Sequence, residues 1–189
     1  MSKRLELVLC GNGGQGIILA GVILADAAAT HDGLEAAQSQ AYGPAARSGS
    51  CKAEVVISDE PIDYPKVNQA DVLLAMSQDA YEEYRGQLKP DGLLIVDSTQ
   101  VEPDEDEAVA VPLTRLAEEE TGHALSANIV ALGVLVGLTG VISQDALRAA
   151  LASRAPRAAL EMNSQALEAG LRQAVDLKAA LRSLPFASK

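Results

Sequence analysis

Tryptophan is absent from this chain, and phenylalanine occurs once. With aromatics at 3% of residues and apolar residues at 48%, the core has to be assembled from alanine, valine, leucine and isoleucine. Such a core suits a buried parallel sheet under alanine-rich helices. Cysteine is nearly as scarce. Two thiols cannot supply the four thiolates of an iron–sulfur cluster or of an all-thiolate zinc site. Cys10 and Cys51 therefore read as reduced residues of a cytoplasmic protein rather than as a disulfide. Positive charge is short too: 15 basic against 26 acidic residues leave a formal charge of -11. A nucleic acid or an anionic membrane needs a basic surface, so neither partner is expected. No apolar run reaches the roughly 20 residues of a membrane span. Glu6 interrupts the first apolar run and no cleavage signal follows, so no signal peptide is expected and the localisation reads as cytoplasmic.

Catalytic sets are missing as well. His31 and His123 are far apart and lack metal-ligand spacing, no serine sits in a G-x-S-x-G elbow, and there is no Cys-x-x-Cys. No catalytic residue and no metal site is expected of this chain. The five carboxylates between Glu102 and Glu107 surround Pro103 with nothing to make them converge, and read as a solvated connection.

What is present is a glycine turn. Leu5 to Cys10 reads as a strand, and the largely apolar run from Ile17 to Ala29 reads as a helix. Between them stand Gly11, Asn12, Gly13, Gly14, Gln15 and Gly16. Glycine accepts positive φ and lets a ligand lie against the backbone, since no Cβ intervenes. The helix that follows aims its unpaired N–H groups and positive dipole end at the turn, which favours an anion there. Cys10, beside that helix start, reads as a buried strand cysteine rather than a reactive thiol.

The rest of the 189-residue chain supplies a scaffold for that turn. Gly33 is placed to stop the first helix, and Leu34 to Gln40 is only weakly strand-like. Ala41 to Ser50 reads as a loop punctuated by Gly43, Pro44 and Gly49, and Tyr42 and Arg47 offer it a stacking ring and a planar cationic fork. Cys51 to Ser58, Asp71 to Met76 and Leu93 to Val96 read as strands, with a turn at Pro90-Asp91-Gly92. Ser77 can cap a helix running to about Gln87. Ala108 to Val111 is a short strand and Thr114 to Glu120 a short helix. From Asn128, read as a helix cap, the chain is helical. Its small residues Ala131, Gly133 and Gly137 point to tight packing, and Ser143 and Pro156 bound the next helix. The last helix aligns Leu160, Leu167, Leu171, Ala174 and Leu181. The pattern predicts an α/β fold, a Rossmann-like open and mainly parallel sheet with flanking helices and a helical C-terminal segment. Residues 1–155 form the α/β domain, and 156–189 a helix packing on it or on a partner. The ends at Gly11, Ser77 and Asp97 should share the carboxyl edge, where open α/β sheets bind ligands.

Gly11, Gly13 and Gly16 satisfy G-x-G-x-x-G, but a dinucleotide site also needs an acid at the end of the second strand for the ribose. Gln38, Ser39 and Gln40 stand there instead. A tight turn with only a packing role remains open on these residues alone.

Taken together, G-N-G-G-Q-G at Gly11 to Gly16, Y-G-P-A-A-R-S-G at Tyr42 to Gly49, V-V-I-S-D at Val55 to Asp59, A-D-V-L-L-A-M at Ala70 to Met76, and Asn128 with Ala131-Leu132-Gly133 resemble the gamma subunit of 2-oxoacid:ferredoxin oxidoreductases, closest to the 2-oxoglutarate type. Ala45 and Ser48 depart from the family pattern, which usually has a Glu and the first of two glycines there. The resemblance implies a non-catalytic subunit of a complex that converts a 2-oxoacid and coenzyme A to acyl-CoA and CO2 while reducing ferredoxin. It implies alpha and beta partner subunits, with a ferredoxin-like delta subunit as a further candidate. Thiamine diphosphate and iron–sulfur clusters would sit in those partners, and the isolated chain would be inactive. Coenzyme A would contact the surface formed by Gly11, Asn12, Gly13, Gly14, Gln15, Gly16, Tyr42, Gly43, Pro44 and Arg47. The alternatives are an indolepyruvate:ferredoxin oxidoreductase beta-type subunit and a free-standing nucleotide-binding protein.

Overall fold

The computed structural model describes residues 4–42, 49–104 and 108–182. Six strands form one sheet in the order β2-β3-β1-β4-β5-β6: β1 Arg4–Asn12, β2 Glu35–Tyr42, β3 Ser50–Ser58, β4 Ala70–Ala75, β5 Leu88–Asp97 and β6 Val109–Val111. The β1/β4, β4/β5 and β5/β6 pairs are parallel, whereas β1/β3 and β2/β3 are antiparallel. The sheet is thus mainly parallel, as expected, with an antiparallel wing on one side.

Six α-helices accompany it: α1 Ile17–Asp26, α2 Gln78–Tyr84, α3 Leu113–Thr121, α4 Ala127–Thr139, α5 Gln144–Arg154 and α6 Leu160–Arg182. The alternation of side chains along each strand sorts the core into two clusters. Leu7, Leu9, Ala53, Val55, Leu74 and Ile95 pack with α1, α3, α4, α5 and α6, whereas Val8, Cys10, Leu73, Ala75 and Val96 pack with α2. Cys51 lies in the first cluster and Cys10 in the second, so the two free thiols occupy opposite faces of the sheet. Burial raises the pKa of both, which keeps them protonated.

The route of the chain fixes one point in this sheet. From β1 it crosses through α1 to β2 on one side, and from β4 it crosses through α2 to β5 on the other. Because such crossovers are right-handed, opposite directions put α1 and α2 on opposite faces. The reversal between β1 and β4 leaves a crevice outside their carboxyl ends, the place where open α/β sheets take ligands.

Alpha-helix α4 is buried without interruption from Ala127 to Gly137, as an all-round apolar helix must be. Its small residues let α6 approach backbone to backbone. A Cβ on Gly133 would lie 2.6 Å from the Leu167 carbonyl oxygen, and one on Gly170 would overlap the Val130 carbonyl. The α6 stripe of Leu167, Leu171 and Ala174 is buried in this contact.

Several local expectations need correcting. Tyr42 belongs to β2, which is a full eight-residue strand: pairing with β3 supplies what its weak pattern lacks. Pro90-Asp91-Gly92 is no turn between elements but extra length inside β5. Ala70 pairs with Leu88 and Val72 with Leu93, so the excess is absorbed as a local irregularity. The first helix ends at Asp26 and continues as a π-helical turn over Ala27–His31, closed by Gly33 at φ 67°. Asn128 does not cap α4 but lies inside its first turn. Among the described residues no helix is long and apolar enough to cross a membrane.

Candidate functional site

The glycine turn occupies the crevice between β1 and β4. Gly14 and Gly16 adopt positive φ, 96° and 73°, which explains glycine at both positions. Gln15 zips the turn to the neighbouring strand. Its Oε1 accepts from Asn12 N–H at 2.6 Å, and its Nε2 donates to the Met76 carbonyl at 2.8 Å. Ser77 Oγ donates to Asn12 Oδ1 at 3.1 Å and also caps α2 by accepting from Ala80 N–H. Asn12 and Gln15, both expected to meet a ligand, therefore spend side-chain groups on shaping the turn.

Gly11, Gly13, Gly14 and Gly16 divide the work. A Cβ on Gly11 would sit 2.9 Å from Ile17 Cδ1 and closer still to Gln15 Oε1, so Gly11 serves internal packing. A Cβ on Gly16 would strike the Asn128 amide. Gly13 and Gly14 are exposed, and nothing lies within 4 Å of where a Gly14 Cβ would stand. That open strip of backbone is the accessible part of the turn.

Tyr42 and Gly49 arrive at the same edge. Tyr42 pairs with Cys51, which pairs with Gly11 across β3, and the Tyr42 side chain is 68% exposed. Gly13 N–H donates to the Gly49 carbonyl at 3.2 Å. One flank of the second distinctive segment, Gly49, thus touches the glycine turn, and the other, Tyr42, reaches the same sheet edge one strand further out. Gly43, Pro44 and Arg47 lie outside the described residues. Because β3 intervenes, β2 is one strand further from the turn than a ribose-holding second strand would be, and Gln38 to Gln40 fall within β2 rather than at its end.

Four helices begin near this edge. Two of them have their first-turn donors already met by side chains: Ser77 caps α2, and the fully buried Asp97 accepts from Thr114 N–H in α3 at 3.2 Å. The starts of α1 and α4 carry no side-chain cap and no acid in the first turn. A cavity of about 300 Å³ opens between those two, lined by Gly14, Gln15, Met76, Gln100, Thr114, Ala124, Leu125 and Ala127. Its rim carries Leu125, 77% exposed. Positive dipole ends above an apolar floor suit a ligand with a phosphate and an apolar arm.

Asn128 is the residue that sequence reasoning placed wrongly. Buried to 3% exposure, it donates from Nδ2 to the Gly16 carbonyl at 3.1 Å, joining α4 to a turn 112 residues earlier. An amide heading a stretch of otherwise apolar residues was the available signal, since such a group needs a partner somewhere.

Comparison with known proteins follows this geometry closely. The family described as Pyruvate ferredoxin/flavodoxin oxidoreductase matches residues 6–173. The 2-oxoglutarate synthase subunit KorC of Methanocaldococcus jannaschii is 46% identical over 182 residues, covering 94% of this chain and 97% of that protein. The keto/oxoacid ferredoxin oxidoreductase gamma subunit of Geobacter sulfurreducens superposes with a TM-score of 0.83 at 44% identity, covering 92% of this chain and 98% of that one. The 2-oxoglutarate:ferredoxin oxidoreductase from Magnetococcus marinus, solved with 2-oxoglutarate, coenzyme A and succinyl-CoA bound, gives a TM-score of 0.80 at 28% identity. There the match covers 92% of this chain but 31% of a much longer one.

Proposed function

The chain belongs to the pyruvate ferredoxin/flavodoxin oxidoreductase family, and from that premise we propose that it is the non-catalytic gamma subunit of a 2-oxoglutarate:ferredoxin oxidoreductase. The observation that carries this is 46% identity spread over nearly the whole length of both this chain and a 2-oxoglutarate synthase subunit. It favours this reading over the indolepyruvate-type subunit and over a free-standing nucleotide-binding protein. In the reaction the C1–C2 bond of the 2-oxoacid breaks and C1 leaves as CO2. The acyl carbon is joined to the sulfur of coenzyme A as the thiol loses its proton, and the two electrons left from the C1–C2 bond pass one at a time to ferredoxin. Thiamine diphosphate and iron–sulfur clusters, held by alpha and beta subunits and a ferredoxin-like delta subunit where one is present, would supply the carbanion and electron-transfer chemistry. The complex would work in the cytoplasm.

The part assigned to this chain is to bind and orient coenzyme A at the carboxyl edge. The exposed backbone of Gly13 and Gly14, with the uncapped starts of α1 and α4, suits its phosphates. The apolar lining, Met76 at depth with Ala124 and Leu125 at the rim, suits the pantetheine arm. Tyr42, exposed at the end of β2, offers a stacking ring at the same sheet edge, and Arg47 is suited to a charge-assisted phosphate contact. The Magnetococcus marinus enzyme, which was solved with coenzyme A bound and contains a similar domain within one longer chain, supports this. The test is affinity purification of the chain from native extract, followed by assay. Alpha and beta chains should co-purify with 2-oxoglutarate- and coenzyme A-dependent ferredoxin reduction. A chain that elutes alone and binds NAD tightly would overturn the reading.

A further inference from the structure

Asn128 Oδ1 is the one buried side-chain polar atom without a hydrogen-bond partner among the described residues. A buried acceptor left unmet forfeits the hydrogen bonds that water gives it in the unfolded chain, so a residue tolerated on such terms needs a compensating role. Its amide is oriented by the bond from Nδ2 to the Gly16 carbonyl, because that carbonyl can only accept. Gly16 is the left-handed residue from which α1 springs, and its carbonyl also receives Ala20 N–H, the first bond of that helix. The Asn128 amide fills the space beside Gly16 where any side chain would sit. One buried amide therefore ties the starts of α1 and α4 directly to each other.

We infer that Asn128 is a positioning residue for the ligand site. It fixes the distance between the starts of α1 and α4 and holds the Gly13–Gly14 backbone in its ligand-facing conformation. It acts through Gly16 rather than by touching ligand, since its side chain is buried and does not line the cavity. An ordinary core residue in its place would fill volume as well, and an apolar one would do so with no orphaned acceptor. The role in coenzyme A binding rests on the proposed function above, whereas the role in holding the turn does not.

The experiment separates the two. In the full chain, Asn128→Leu keeps the branching at Cγ in a larger side chain and removes both amide groups, and Asn128→Asp keeps the shape but replaces the amide donor with an oxygen. Amide hydrogen exchange should quicken about tenfold at Gly13 and Gln15, whose N–H groups bond to Gly49 and Asn12. It should hold at Met76, whose N–H bonds to Cys10 outside the turn. In the complex, the KM for coenzyme A should rise about tenfold with kcat little changed, the signature of lost orientation in binding. Variants that lower thermal stability while leaving Gly13 and Gln15 exchange and the coenzyme A KM unchanged would overturn the inference. Should Asn128→Leu not fold, Asn128→Asp decides by the same readouts. If coenzyme A perturbs no turn amide even in the wild type, the coenzyme A reading fails, and the exchange rates still decide whether Asn128 holds the turn.

Discussion

Glycine does opposite things at the two ends of this molecule. In the α4–α6 contact, Gly133, Gly137 and Gly170 are filled from outside: where each Cβ would stand, another helix is already present. At the turn, Gly14 has nothing within 4 Å and faces solvent. The missing side chain brings two helices of the same chain together in one place. In the other it leaves backbone exposed at the carboxyl edge of the sheet, with no neighbour of this chain against it. A glycine is therefore no evidence of a ligand until its surroundings are known.

That contrast can be broken most sharply at Gly170. Gly170→Ala puts a methyl group into the Val130 carbonyl, and overpacking against backbone costs about 3 kcal/mol or more. At this chain length the melting temperature should fall by about 6–12 °C. Calorimetry showing a drop within measurement error would mean that the helices are not in backbone contact. Gly14→Ala should behave in the opposite way. No neighbour is struck, so the free chain loses only the strain of a left-handed residue, about 1–2 kcal/mol. In the reconstituted complex the same methyl group occupies the ligand-facing strip, and the KM for coenzyme A should rise about tenfold or more. Unchanged kinetics would show that the strip faces solvent in the assembly too.

The smallest effect sharpens the comparison by testing a link that is neither core nor site. Arg154 donates to Asp26 at 2.7 Å, and this bond, aided by Thr30 and Ser153, holds the Asp26 carboxyl below its ordinary value. A depressed folded pKa contributes stability above the unfolded value of about 4, and that stability is lost as pH falls through the folded pKa. Arg154→Ala should therefore melt slightly lower than wild type at neutral pH, and the two curves should converge in acid. A gap that persists at low pH would place the effect in packing instead.

Most of the fold was legible because hydrophobic pattern and punctuation agree along the chain. The apolar runs at Leu5, Asp71 and Leu93 became β1, β4 and β5, and Ser77 and Ser143 cap the helices expected of them. What misled was local resemblance between different jobs. Pro90-Asp91-Gly92 has turn chemistry but lies within a strand, because parallel pairing on both sides of it outweighs the local preference. Asn128 has cap chemistry but sits inside the helix, because its amide finds a carbonyl far away in sequence.

The sequence by itself determined that this chain has a strand–glycine turn–helix unit, an aliphatic core and a C-terminal helical half. Those follow from periodicity, composition and the backbone freedom of glycine, all of which are local. Only the tertiary structure decided that β3 enters between β1 and β2, bringing Gly49 to the glycine turn and setting Tyr42 one strand further out. It alone separated the glycines that receive a neighbouring helix from those left open, Gly14 among them, and gave Asn128 its partner. Those outcomes depend on which surfaces meet across a hundred residues, and burial of the two clusters settles that for the whole chain at once.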